Sequence, residues 1–146
     1  MNFVQDASLA LAFVLNDEAT PATDKVLDSL GQGAKAYVPA LWWWEVANVL
    51  LLAERRNRVT SAEAHRHWVR LKALPIEVDL AASDEAWTAT LSLAKKHQLT
   101  IYDAAYLEMA IRRDLPLGSL DLKLRSAAKS DQVPLLPEKF RDTVCA

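Results

Sequence analysis

Four carboxylates stand at the margins of apolar segments in this 146-residue chain: Asp6, Glu45, Asp103 and Asp121. Glu45 is the most oddly placed, inside "LWWWEVANVL" (41–50) and directly behind three tryptophans. A carboxylate in apolar surroundings shifts its pKa, finds a partner or holds a cation. For a Glu on its own, a position at the rim or a bond to Asn48, one turn on, is the plainest account. Each Asp singly suits a helix start: Asp6 in the turn before Ser8, Asp103 three residues after Thr100, Asp121 as the cap of the following helix. Four like charges brought to one place have a different meaning. They repel and raise one another's pKa unless a cation neutralises them. Oxygen ligands without Cys or His suit Mg²⁺ or Mn²⁺.

Other chemistries find less support. His65 and His67 are two apart on a predicted helix and point to different sides, so they cannot chelate as an i, i+4 pair would. The single cysteine, Cys145, allows no intramolecular disulfide and makes a cysteine-ligated metal site implausible. Neither a glycine-rich phosphate loop nor a G-x-S-x-G elbow is present.

Whether the acids meet depends on the elements that carry them. "NFV" before Asp6, "AYV" (36–38), "IEV" (76–78), "LPLGSL" (115–120) and "VPLL" (133–136) read as short apolar strands. Helices are expected over 8–16 capped by Ser8, 22–31, 41–57, 60–73, 83–97, 102–113 and 123–129. The helix at 60 starts with a capping box, Thr60 with Glu63. Short strands alternating with helices predict an α/β fold, its central parallel sheet of about four to five strands covered on both faces. Ligands bind such sheets outside the carboxyl ends of the strands. Asp6 and Asp121 directly follow strands, and Glu45 and Asp103 fall in the first turns of helices at that edge. The four acids therefore converge if the strands are parallel.

Composition bounds the function classes. With 51% hydrophobic and 25% charged residues, 3 Gly and 6 Pro, the chain reads as one globular domain over 1–146. Its N-terminus lacks a basic start and a small-residue cleavage site, and the tryptophan run is too short to span a bilayer; a cytoplasmic protein with no membrane association is expected. The net charge of −2 does not announce a nucleic-acid binder, yet its distribution is uneven. Residues 1–50 hold six acids and two bases, whereas residues 51–100 hold six acids and eight bases, concentrated in "ERRNR" (54–58) and "HRHWVRLK" (65–72). Such runs are solvated helix faces or phosphate-contacting flanks.

Three segments carry a resemblance to a known family: "VQDASLALAFVLNDE" (4–18), "WWEVANVLLLAERR" (43–56) and "LTIYDAAYLEMAIRRDLPLGSLDLKLRSAA" (99–128). An Asp after strand one, E-x-x-N, Y-D-A-x-Y-L and a late hydroxyl-x-Asp occur together and in order. In these the chain resembles the PIN-domain family, specifically the VapC-type toxins of prokaryotic toxin–antitoxin pairs. The resemblance implies a PIN-like three-layer α/β/α fold and an acidic quartet of Asp6, Glu45, Asp103 and Asp121, with Ser8, Asn48 and Ser119 in support. It implies Mg²⁺-dependent (or Mn²⁺-dependent) hydrolysis of RNA phosphodiester bonds and a small antitoxin as partner. Arg55, Arg56 and Arg112 are the candidate RNA-backbone contacts. Gln5 and Leu122 depart from the pattern, Gln5 standing where strand one usually carries an apolar residue.

Trp42 and Trp43 admit two accounts, core packing or an interface with a second subunit or an antitoxin helix; the second predicts a homodimer. Two other functions are weighed. A haloacid-dehalogenase-like phosphohydrolase acting on small phosphoesters wants D-x-D, and here Ala7 and Ser8 follow Asp6. A non-catalytic PIN-like binding module usually lacks part of the quartet, which is complete in this chain.

Overall fold

Strand β1 (Phe3–Gln5) is buried at every position, with no exposure at Phe3, Val4 or Gln5. A strand buried on both faces must lie inside a sheet covered on both sides, which is where parallel sheets occur. The computed structural model, which describes residues 1–80 and 83–140, places β1 at the centre of five strands. The others are β2 (Ala36–Pro39), β3 (Ile76–Asp79), β4 (Leu117–Gly118) and β5 (Leu135–Leu136), and the spatial order is β3-β2-β1-β4-β5. Every pairing is parallel, with Val4 opposite Leu117 and Gln5 opposite Gly118. The chain winds outward from β1 to β3, then returns to the other side of β1 for β4 and β5. The strand order reverses between β1 and β4, and an open sheet leaves its ligand crevice at such a point.

Among the described residues seven helices connect the strands: α1 (Ala7–Ala12), α2 (Pro21–Gly31), α3 (Leu41–Arg55), α4 (Ser61–Lys72), α5 (Asp84–His97), α6 (Ile101–Arg113) and α7 (Leu122–Ser130). Local chemistry sets their starts. The Thr60–Glu63 capping box forms as its spacing predicts, and Thr20 makes a second one with Thr23. The expected helix over 41–57 ends at Arg55, because Asn57 takes a left-handed conformation, φ 57°. Cys145 lies outside the described residues.

Two close contacts tighten the crevice. Gly118 faces a space with no room for a side chain: an added Cβ would stand 2.5 Å from Leu9 Cδ2 and 3.3 Å from the Val4 carbonyl oxygen. Arg125, only 1% exposed, donates to the carbonyls of Ser119 and Pro137, each at 2.9 Å, and so ties the end of β4 to the end of β5.

The three tryptophans of α3 part company by helix phase. Trp42 joins Val46, Leu50 and Ala53 on the buried stripe. Trp43 sits edge-on against Trp42 at 4.6 Å and against Trp68 of α4 at 5.2 Å. Trp44 is 79% exposed. The interface account of Trp42 is thereby corrected, since a ring with no exposed surface reaches no second subunit. Trp42→Ala should lower stability by about 3–5 kcal/mol in urea unfolding, the usual effect of emptying a large aromatic site. An unchanged unfolding midpoint would contradict the core assignment.

Candidate functional site

Asp6 is the first residue after β1, and its N–H donates to the Gly118 carbonyl at 3.0 Å. Its extended backbone (φ −86°, ψ 175°) makes it the N-cap of α1, the side chain accepting from Leu9 N–H at 3.1 Å. Ser8 was expected in that role; it falls instead inside the first turn, where a hydroxyl cannot cap its own helix start. Ser8 Oγ donates to Asp6 Oδ1 at 2.7 Å and accepts from Leu120 N–H at 2.9 Å. Ser119 donates to Asp6 Oδ2 and accepts from Asp121 N–H. Both hydroxyls expected in support thus clamp one carboxylate from opposite sides of the strand-order reversal. Asp6 is nonetheless only 5% exposed, and burial pushes its pKa up to about 6 despite those hydrogen bonds, with the Asp121 charge adding to the rise.

Glu45 and Asp103 come from α3 and α6, and the charge of Asp6 reaches Glu45. Glu45 and Asp103 line one cleft of about 320 Å³ with Leu41, Trp44, Thr100 and Tyr102. Burial, then the charges of Asp103 and Asp6, push the Glu45 pKa up to about 7. Its Oε1 is buried without a hydrogen-bond partner, and the expected pairing with the exposed Asn48 is not made. Asp103 is raised by burial and by Asp121; Lys123 and the Thr100 hydroxyl oppose the rise. Thr100 caps α6 by accepting from Asp103 N–H at 3.1 Å, which leaves the Asp103 carboxylate clear of capping duty. Asp121 does cap its helix, accepting from Leu124 N–H at 2.8 Å, while its charge acts on Asp6 and Asp103.

Residue-by-residue reading passed over two contributors. Tyr106, fully buried one turn after Asp103, turns its hydroxyl toward Glu45, and burial and the acids' charges hold its pKa above the usual phenol range. The attraction lowers the Glu45 pKa only slightly, and the hydroxyl stays outside normal hydrogen-bond geometry. Its signal was the second tyrosine of Y-D-A-x-Y-L. Arg125 was the other, a charge set four residues after Asp121 on a short helix.

The basic candidates separate. Arg55 and Arg56 are exposed at the end of α3, about 15 Å along the helix from Glu45. Arg112 is engaged instead: it pairs with Asp79 at 2.9 Å and with Glu108 at 2.8 Å, so it braces α6 against β3 rather than offering an open phosphate contact.

The donor set fits a hard divalent cation. Four carboxylates influence one another electrostatically, two are raised toward neutrality, and one buried oxygen has no partner. Among the described residues no three such groups yet close around a single point. Bound, the cation would be held by Asp6 as the fixed ligand, with Glu45 and Asp103 drawn inward and Asp121 as the outer member.

A carboxylate cluster at the reversal point of a parallel α/β sheet defines a class of edge-binding protein, and comparison specifies it. The family model for the PIN domain matches residues 3–130, and the chain belongs to that family. It is 30% identical over 128 residues to Ribonuclease VapC3 of Pyrobaculum aerophilum, covering 85% of this chain and 92% of that protein. The crystal structure of PAE2754 from Pyrobaculum aerophilum superposes with a TM-score of 0.67 at 24% identity, over 87% of this chain and 84% of that one. VapBC2 from Rickettsia felis, bound to a promoter DNA fragment, gives 0.63 at 11% identity over 92% and 97%. The two structures share the fold.

The raised acids make the metal-free protein sensitive to pH. Their folded pKa values, about 6 for Asp6 and about 7 for Glu45, exceed the ordinary 3.8 and 4.5, so the folded state holds protons that the unfolded chain releases. That stabilisation is complete below about pH 4 and is lost as pH rises through 6 to 7; for Asp6 it amounts to at most about 3 kcal/mol. The melting temperature without metal should therefore fall between about pH 5.5 and 8, and saturating Mg²⁺ should reduce the fall. A metal-free profile that rises across this range would contradict the raised pKa values of the buried acids.

Proposed function

We propose that this chain is a metal-dependent ribonuclease, the toxin member of a toxin–antitoxin pair, and that Asp6, Glu45, Asp103 and Asp121 are its catalytic and metal-holding groups. The observation that carries the reading is the meeting of these four acids at the sheet's reversal point, two of them raised toward neutral pH. Membership of the PIN domain family and the ribonuclease relative support it.

Asp6, Glu45, Asp103 and Asp121 would hold Mg²⁺ (or Mn²⁺), which would supply an activated water and offset charge on the scissile phosphate. The chain's own residues do the placing. Asp6 is held in one orientation by Ser8, Ser119 and Leu9 N–H. Glu45, which keeps a buried oxygen without a hydrogen-bond partner, would give up its proton on meeting the cation and complete the metal-holding set. Asp121 is kept near Asp6 by its backbone bond to Ser119 and by its capping of α7. Arg55 and Arg56 extend a positive flank for the RNA backbone.

The partners follow the same reading. A small antitoxin would block the cleft, supported by the VapBC structure that shares the fold. A homodimer would bury exposed Trp87 and Leu91, one turn apart on α5. Among the described residues no helix is long and apolar enough to cross a membrane, and the proposed compartment is the cytoplasm.

Asp103→Asn tests the assignment. Thr100, not Asp103, caps α6, so the amide should leave the fold intact. Cleavage of a total RNA pool with Mg²⁺ or Mn²⁺ should be abolished, and the metal-free protein should melt at or above the wild-type temperature because one repelling charge is gone. Mg²⁺ should then raise the melting temperature less than in the wild type. A residue acting only at the helix start would lose about 1 kcal/mol of stability and keep cleavage. Retained cleavage would falsify the role of Asp103.

A further inference from the structure

Each of the two acids that enter the cleft from a helix is preceded by an exposed aromatic ring. Trp44, before Glu45 on α3, is 79% exposed, and Tyr102, before Asp103 on α6, is 60% exposed. Neighbouring helix positions differ by about 100° around the axis, so each ring stands beside its acid at the mouth rather than under it. Both line the same cleft of about 320 Å³, as do Leu41 and Thr100.

The chemistry around the cleft limits what these rings can hold. The carboxylates repel a polyanion; Lys123 offsets part of the charge at Asp103, and the free arginines of α3 lie about 15 Å away along the helix. Contact near the reacting phosphate therefore gains from a source of affinity that does not depend on charge. Stacking of nucleobases on aromatic faces is such a source, and it requires bases that are not already stacked in a duplex.

We infer that Trp44 and Tyr102 are stacking platforms for the bases flanking the scissile phosphate and so set the affinity for the RNA strand. The inference rests on the nuclease reading and adds how the strand is held. The rings position the strand by their faces, while Glu45 and Asp103 would hold the cation that offsets the charge of the phosphate. Because stacking acts on both bound substrate and transition state, its removal raises KM and leaves kcat little changed.

The test uses the full chain with Mg²⁺ or Mn²⁺ and two RNA oligonucleotides, one unpaired and one the same sequence locked in a duplex. Wild type should cleave the unpaired RNA with the lower KM. Trp44→Ala and Tyr102→Ala should each raise that KM by about 5- to 150-fold, the span of single-base stacking, at unchanged melting temperature. Trp44→Phe and Tyr102→Phe should recover most of the loss. An abasic nucleotide beside the cleaved bond should raise KM for wild type and add little for the alanine variant that lost the matching ring. Cleavage by wild type with KM unchanged in both alanine variants would overturn the stacking role and leave the nuclease reading standing. A lowered oligomeric mass in light scattering with unchanged KM would assign the rings to protein contacts and overturn it equally. Failure of wild type to cleave either RNA would overturn the nuclease reading and this inference with it.

Discussion

The carboxylate of Asp6, withdrawn from water at the centre of the sheet, is the constraint around which the site is organised. Burying such a group costs several kcal/mol unless donors replace its lost water. Three do: Leu9 N–H from the helix it caps, Ser8 one residue into that helix, and Ser119 from beyond β4. Their sources explain why the neighbouring elements lie where they do. Gly118 lets β4 close on β1, and Arg125 fixes the carbonyl of Ser119 so that its hydroxyl points at Asp6. Even so, the pKa stays near 6, which means three donors do not fully replace water. The remaining deficit is one of positive charge.

The other acids are held more loosely, and each in its own way. Asp121 divides its side chain between a helix start and the shared field. Asp103 is spared from capping by Thr100. Glu45 keeps one buried oxygen without a partner. An anchored carboxylate with looser companions can accept an incoming cation by small side-chain movements while the backbone stays fixed. Helix α3 makes this compatible with stability, because its 3.6-residue period sends Trp42 to the core, Trp43 against Trp68, and Trp44 to the cleft mouth. Glu45 falls on the flank between the buried and solvent faces.

Much of this was legible along the chain, for physical reasons. Alternating short apolar runs and capped helices imply a parallel sheet, and the carboxyl-end rule then brings Asp6, Glu45, Asp103 and Asp121 to one edge without any contact being known. What resisted reading was phase and tertiary partnership. Three consecutive tryptophans look alike in sequence, yet steps of about 100° give them three different environments. Ser8 reads as a cap by residue type, but cap position depends on where the strand stops, and β1 ends one residue before Asp6. Arg112 reads as a free cation, and only the fold brings Asp79 and Glu108 to it. The buried guanidinium of Arg125 has no local signal beyond its charge.

If the acids share a deficit of positive charge that a divalent cation fills, proton release on binding measures it directly. Mg²⁺ titrated into the metal-free protein at about pH 6.5, in two buffers of different ionisation enthalpy, gives the number of protons displaced from the calorimetric heats. With Asp6 near pKa 6 and Glu45 near 7, the two carboxyls together hold about one proton at that pH. The account predicts release of about one proton per bound ion, falling toward zero near pH 8.5 and reduced in Glu45→Gln. Binding that displaces no protons at pH 6.5 would contradict it.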